Sequence, residues 1–327
     1  MAEKALKVHL TGPHAFASVH NEDSLTLASF LTKHGWDLVD TPEDADAICA
    51  VELPVTRYHL PQAIQASSKK GLLIVQEPSV VRPFHNKTKF LNRFSRRFEV
   101  GRASSSPLIP WPALYLDQFE GNSKAPKLPR ACLISSNKVS FVSGELYSLR
   151  RRVVDANPKV DLFGAGWNSS KWNRIKQCVF ELYIGLLSAQ PTNPLMAVRF
   201  LSNVRHSYGP VADKLSTNSN YKATVVIENS REYMSEKLLE AIAAGSIPVY
   251  VGPDVTQFGI PEEIVVQVNP DVQSVNEGVA KALAMDYGIW SQRCERWLDS
   301  KTKAFWSLEK FWINVHDELT SLACTAK

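Results

Sequence analysis

The sequence lacks the patterns that indicate a disulfide framework, a metal centre or a membrane span. Its five cysteines are odd in number and never form C-x-x-C, and its eight histidines show no ligand spacing. No uninterrupted run of about 18 apolar residues occurs, and no signal peptide is visible. We therefore expect buried, reduced cysteines and no metal. We also expect a cytoplasmic protein, with peripheral contact to a membrane left open.

A strong excess of one charge is also missing. The 37 basic and 33 acidic residues give a net charge of +4. Nucleic-acid binding needs a clustered positive surface, so we expect no nucleic-acid partner, whereas a small anionic ligand fits this balance. The 327 residues, 44% of them apolar, exceed the size at which one core stops growing, and they predict two domains.

Strand and helix patterns alternate in both halves of the chain. The predicted strands are 7–11, 37–39, 47–52, 71–76, 131–134, 159–163, 221–227, 247–251 and 264–268. The predicted helices are 25–34, 60–68, 144–157, 178–189 and 236–244, followed by largely helical sequence over 297–322. This alternation predicts an α/β fold with two Rossmann-like domains facing a cleft. We place the domains at 1–125 and 126–300, with residues 301–327 forming a C-terminal helix that packs across them.

Two short patterns resemble ligand motifs without their context. Asp44-Ala-Asp46 precedes a predicted strand and is interpreted as a surface turn. Gly164-Ala-Gly166 is too short for a dinucleotide-binding fingerprint. The segment 168–207 is irregular, and its apolar helix is predicted either to pack internally or to lie at an acceptor or membrane interface.

The most informative segment is 221–253. A buried strand ends at Glu228, and a short polar loop leads to a helix with Lys237 in its first turn. Ligands of open α/β sheets bind at the carboxyl ends of strands, and a helix N-terminus with an added lysine suits a diphosphate. A surface lysine on an ordinary α/β loop is the alternative.

This segment closely resembles the donor-binding signature of α-1,3/1,4-fucosyltransferases. The match consists of E-N-S, then Y-x-S-E-K-L, then A-G-S-I-P-V-x-x-G-P. Further matches lie upstream, at 135–137, 149–152, 160–164, 209–214 and 220–222. A weaker match covers 74–79, 82–83 and 110–115 in the N-terminal half. The loop between Asn229 and Glu236 is shorter than the family's, and 168–207 has no counterpart.

The resemblance implies a GT-B type glycosyltransferase that inverts the anomeric centre, with GDP-fucose as donor substrate, a glycan acceptor and no cofactor. It implies an acceptor-binding N-terminal domain and a nucleotide-sugar-binding C-terminal domain. Glu77, after a buried strand, is then the candidate catalytic base.

The implied donor-binding residues all lie in the C-terminal half. Arg150 and Lys237 would bind the diphosphate, although Arg151 or Arg152 could replace Arg150. Ribose or sugar hydroxyls would be bound by Asn229, Tyr233 and Glu236. The alternatives are another nucleotide sugar as donor, or a nucleotide-sugar-binding module without catalysis.

Overall fold

The computed structural model describes residues 5–12, 26–52, 71–82, 91–105, 108–119, 127–187, 192–193, 195–202, 204 and 206–325. The chain divides into two compact units. The first comprises residues 1–110 and 308–327, and the second comprises residues 111–307. The sequence had placed this boundary at 125/126. It had also placed 301–327 across the domains, whereas residues 308–327 belong to the first unit.

The first unit contains a five-stranded parallel sheet in the order β2-β1-β3-β4-β5. Its strands are β1 (Leu6–Thr11), β2 (Trp36–Leu38), β3 (Ala47–Val51), β4 (Gly71–Val75) and β5 (Arg96–Glu99). All residues of β3 and β4 are buried, which explains their continuous apolar sequences. Helix α1 (Leu27–Lys33) connects β1 to β2 and starts at Thr26, whose Oγ1 accepts the N–H of Ser29 at 3.0 Å.

The second unit repeats this arrangement with a parallel sheet in the order β10-β9-β8-β6-β7. Its strands are β6 (Leu128–Ile134), β7 (Val160–Phe163), β8 (Tyr221–Ile227), β9 (Ile247–Val251) and β10 (Val266–Gln267). Strand β8 is the central strand, and β9 is buried throughout. The carboxyl ends of these strands therefore carry the loops that can form a ligand site.

Nine further helices follow in chain order. They are α2 (Tyr147–Ala156), α3 (Lys171–Leu187), α4 (Met196–Leu201), α5 (Lys214–Ser219), α6 (Lys237–Ala243), α7 (Val272–Ala284), α8 (Tyr287–Trp297), α9 (Ser300–Phe305) and α10 (Leu308–Thr325). Helix α10 packs against β3, β4 and α1 of the first unit. It buries Phe311, Trp312 and Val315 there, so the end of the chain completes the core that the beginning starts.

Most predicted elements are confirmed, including both bounds of β8 and β9. Gly245 ends α6 with a φ of +65°, as the sequence predicted for this position. The predicted helix at 60–68 lies outside the described residues. Strand β5 was missed, and α3 starts at Lys171 instead of residue 178.

The remaining sequence expectations concern turns, cysteines and membrane segments. Asp46 accepts the backbone N–H of Lys7 at 2.9 Å, which fits the structural turn predicted for Asp44-Ala-Asp46. Four of the five cysteines are buried, and burial raises the pKa of Cys49 and Cys132 to about 12. No helix in the described part of the chain is long and apolar enough to cross a membrane.

Candidate functional site

The loop after the central strand β8 is held by a buried carboxylate. Glu228 has no exposed surface, and its two oxygens accept the N–H and the O–H of Ser235 at 2.9 and 2.7 Å. Burial raises the pKa of Glu228, while Lys237 and the bonds from Ser235 act in the opposite direction. Glu228 therefore fixes the loop 229–235 in front of helix α6.

Lys237, the first residue of α6, is partly buried above this carboxylate. Its Nζ donates to Ser235 Oγ at 2.7 Å and lies 3.8 Å from Glu228 Oε2. About a quarter of the side chain is exposed, at 26%. The ammonium group is thus oriented from below while one side faces the cavity described next.

A cavity of about 350 Å³ lies at the carboxyl ends of β6, β7 and β8. Its walls are formed by 133–136, 164–165, 210–212 and 224–227 together with side chains from three helices. Those side chains include Arg150 on α2, Lys214 on α5 and Lys237 and Glu240 on α6. Three cationic groups and one carboxylate therefore surround a space at the expected edge of the sheet.

Lys214 was not among the predicted site residues. Its Nζ lies 3.4 Å from Glu240 Oε1, and its side chain is about half exposed. Burial raises the pKa of Glu240, as does Glu236, and the two lysines oppose this shift. The upstream motif match at 209–214 ends at Lys214 and was the signal that could have identified it.

A glycine allows β6 and β7 to approach each other at the cavity wall. Gly164 has a φ of +128°, and a Cβ built there would lie 1.9 Å from the carbonyl oxygen of Ser135. A larger residue would have to displace that backbone, so the wall depends on glycine at this position.

Arg150 is buried behind the cavity and binds protein groups. Its Nε and one Nη donate to the carbonyl oxygen of Ile227 at 3.1 and 2.5 Å, and the same Nη donates to Asn229 Oδ1 at 3.0 Å. Its guanidinium carbon lies 4.7 Å from the ring centroid of Tyr147. Burial lowers the pKa of Arg150, and nearby acidic groups counteract this. Arg150 therefore positions Asn229 at the end of β8.

The structure separates the three consecutive arginines. Arg150 lines the cavity, whereas Arg151 donates to Asn137 Oδ1 at 2.7 Å and lies against the rings of Trp167 and Phe200. Arg152 is exposed. Of the three, Arg150 is the one placed with Lys237.

The remaining predicted donor residues lie around the loop. Asn229 is buried and bonded to Arg150, and Tyr233 is 2% exposed with its ring edge-on to Trp111 at 6.4 Å. Glu236 is half-buried directly before α6. The described residues that line the cavity do not include Asn229, Tyr233 or Glu236.

Glu77 belongs to the first unit and follows β4. Its backbone N–H donates to Glu52 Oε1 at 2.7 Å, and the N–H of Gln76 donates to the same oxygen. Glu52 follows the central strand β3, is fully buried and has a φ of +65°. A residue other than glycine rarely adopts this conformation, so the fold maintains it at a cost of about 1–2 kcal/mol.

Glu52 was not identified from the sequence. In each unit a wholly buried glutamate follows the central strand and binds the N–H of a neighbouring loop: Glu52 in the first and Glu228 in the second. The available signal was an acidic residue placed directly after five consecutive buried positions, 47–51.

No protein-family model and no curated protein matches the sequence. Solved structures do match. A crystal structure of an alpha1,3-fucosyltransferase is 13% identical, with a TM-score of 0.51, and the match covers 98% of this chain and 91% of that chain. The structure titled as that enzyme type with GDP gives 0.50 at the same identity. A sucrose-phosphate synthase from Thermosynechococcus elongatus is 14% identical, with a TM-score of 0.55 and 98% and 100% coverage. The fold class predicted from the sequence, α/β with two Rossmann-like domains of GT-B type, is confirmed.

Proposed function

We propose that this chain is a GT-B type glycosyltransferase that transfers fucose from GDP-fucose to a hydroxyl group of a glycan acceptor. The observation that carries the proposal is the cavity after β8, where Arg150, Lys214 and Lys237 converge. Three positive groups in a partly water-excluded space suit a diphosphate, which carries most of the negative charge of a nucleotide sugar. The match to the fucosyltransferase signature supports fucose as the sugar.

The proposed reaction needs stabilisation of a leaving diphosphate. The acceptor oxygen forms a bond to the anomeric carbon while the bond from that carbon to the diphosphate oxygen breaks. Negative charge then grows on the diphosphate, and the ammonium groups of Lys214 and Lys237 stabilise it. We expect these groups to be sufficient without a metal ion.

Arg150 has a more indirect role in this proposal than the sequence suggested. Its Nε and one Nη are bonded to Ile227 and Asn229, so it contributes mainly by positioning the loop and by its positive charge. The acceptor hydroxyl also has to lose a proton, and we assign that proton to the Glu77 carboxylate.

A second candidate is the same type of transfer with another nucleotide sugar. The match to the sucrose-phosphate synthase has a TM-score of 0.55, at least as high as that to the fucosyltransferase. The loop between Asn229 and Glu236 is also shorter than in the fucosyltransferase signature. The donor experiment below separates these candidates.

The first experiment is calorimetric titration with GDP-fucose, GDP-mannose and UDP-glucose in the presence of a chelator. We expect selective binding of GDP-fucose, weakened about 10- to 100-fold in Lys237→Ala through loss of a charged hydrogen bond. Lys301→Ala, an exposed lysine of the same unit, is the matched control. Preference for another nucleotide sugar would favour the second candidate, and equal affinities of wild type and Lys237→Ala would reject the site.

The second experiment tests catalysis. Glu77→Gln keeps the size of the side chain but cannot accept the proton, so we expect transfer to fall by about 10²- to 10⁴-fold with donor binding unchanged. Glu43→Gln, at an exposed carboxylate of the same unit, is the control. Full activity of Glu77→Gln would reject the base, and donor binding with no transfer by wild type to any acceptor would favour a binding module.

A further inference from the structure

Helix α3 has a second apolar face that nothing in the chain covers. Five large side chains on it are between 50% and 65% exposed: Trp172, Val179, Phe180, Tyr183 and Leu186. Their spacing of three, four and seven residues places them on one side of the helix. Over 17 residues this stripe, hereafter the α3 stripe, extends for about 25 Å.

The opposite side of α3 already serves the core of the unit. Cys178 packs with Val139, Phe141 and Phe200 in a buried cluster. Arg174 is buried and donates to the carbonyl oxygen of Ser202 at 2.8 Å. The α3 stripe is therefore not needed to hold the helix in place, and a second apolar face on a surface helix indicates a binding surface.

The neighbouring helix extends this surface. Leu195 and Val198, at the start of α4, are each 70% exposed. They are more exposed than any residue of the α3 stripe, although α4 also packs on α3 through Met196 and Leu201. The exposed apolar area thus belongs to the α3–α4 pair.

The exposed charges of this pair are all positive. Lys171 and Lys176 on α3 and Arg199 on α4 are exposed, whereas the single acidic residue, Glu181, is only partly exposed. Residues 171–208 of the sequence contain five basic residues and one acidic residue. Lys176 lies within the stripe itself, with its Nζ 5.5 Å from the ring centroid of Trp172.

We propose that the α3 stripe and its basic residues form a docking surface for an anionic lipid bilayer. Aromatic and aliphatic side chains beside lysines are the pattern of a helix that lies in the membrane interface, where lysine stems extend so that their ammonium groups reach lipid phosphates. A second copy of this chain fits less well. A two-fold contact through the stripe would bring Lys176 towards Lys176, two like charges that the exposed residues of α3 and α4 do not neutralise.

The test is co-sedimentation of the full chain with vesicles of phosphatidylglycerol and phosphatidylcholine, compared with phosphatidylcholine alone. We expect binding to the anionic vesicles that weakens at high salt. Phe180→Glu should reduce this binding at least about tenfold, because it removes apolar contact and adds a negative charge. Ile289→Glu is the matched control, since Ile289 on α8 is 52% exposed and Phe180 is 50% exposed.

Lys176→Gln isolates the electrostatic part. We expect about fivefold weaker binding to the anionic vesicles and no change with neutral ones. Unchanged donor binding by each variant verifies folding independently of the surface. The proposal is overturned if wild type binds neither vesicle, binds both equally, or if Ile289→Glu loses binding as Phe180→Glu does. It is also overturned if sedimentation shows a dimer that Phe180→Glu dissociates, since the surface would then bind a second copy.

Discussion

Replacing Glu52 tests whether a buried carboxylate positions the candidate base. In Glu52→Ala the backbone N–H groups of Gln76 and Glu77 lose their acceptor. Each buried donor without a partner costs about 1–3 kcal/mol, so the turn is expected to lose about 2–6 kcal/mol. Glu52→Gln keeps an acceptor oxygen but loses its charge, and we expect a loss of about 1 kcal/mol.

The left-handed backbone at this position supplies an internal control. Glu52→Gly removes the carboxylate as Glu52→Ala does, but glycine tolerates a φ of +65°. We therefore expect the glycine variant to be about 1 kcal/mol more stable than the alanine variant.

Hydrogen exchange at Gln76 and Glu77, together with the rate of sugar transfer at saturating donor, measures the effect. In Glu52→Ala these two amides should exchange faster, and transfer should fall by about 10²-fold because the base is displaced. Glu52→Gln should restore most of both, while donor affinity stays constant because the cavity belongs to the other unit. Wild-type exchange and wild-type transfer in Glu52→Ala would refute this positioning role.

Three further predictions concern the second unit. Gly164→Ala should destabilise it by about 3 kcal/mol or more, because the new Cβ meets the Ser135 carbonyl at 1.9 Å; thermal unfolding measures this, and an unchanged midpoint would contradict it. The raised pKa of Glu228 means that wild type loses stability as pH rises from about 4.5 through the folded value. Glu228→Gln should lack this decline, and parallel pH-stability curves would show that Glu228 is not its source. Lys214→Ala should weaken donor binding about 10-fold in calorimetry, whereas Lys301→Ala should not, and equal affinities would remove Lys214 from the site.

The central strands were predictable because their burial is written in the sequence. Tyr221–Ile227 and Ile247–Val251 are continuous apolar runs between polar or glycine residues, which is typical of buried parallel strands. Strand β5, Arg96–Glu99, carries three charged residues and buries only Phe98, so it has no such signal. The start of α3 was missed because its first turns are polar and only later residues show the apolar period.

The candidate site was only partly predictable for a different reason. The motif around Lys237 identified the loop and the helix because those residues are adjacent in sequence. The roles of Glu52 and Arg150 depend on partners 24 to 79 positions away, such as Gln76 and Asn229. Spacing along the chain does not encode such contacts, and it could not separate Arg150 from Arg151.

The return of helix α10 to the first unit has a consequence for folding order. The first unit consists of residues 1–110 and 308–327, so its sheet packs against the helix that the ribosome makes last. The second unit is continuous, and all its strands are synthesised before α10 emerges. Because domains generally fold as units during synthesis, the second unit can complete its core while the first still waits. The apolar strands β3 and β4 then remain incompletely covered until translation ends, which makes the first unit the one most dependent on protection from aggregation.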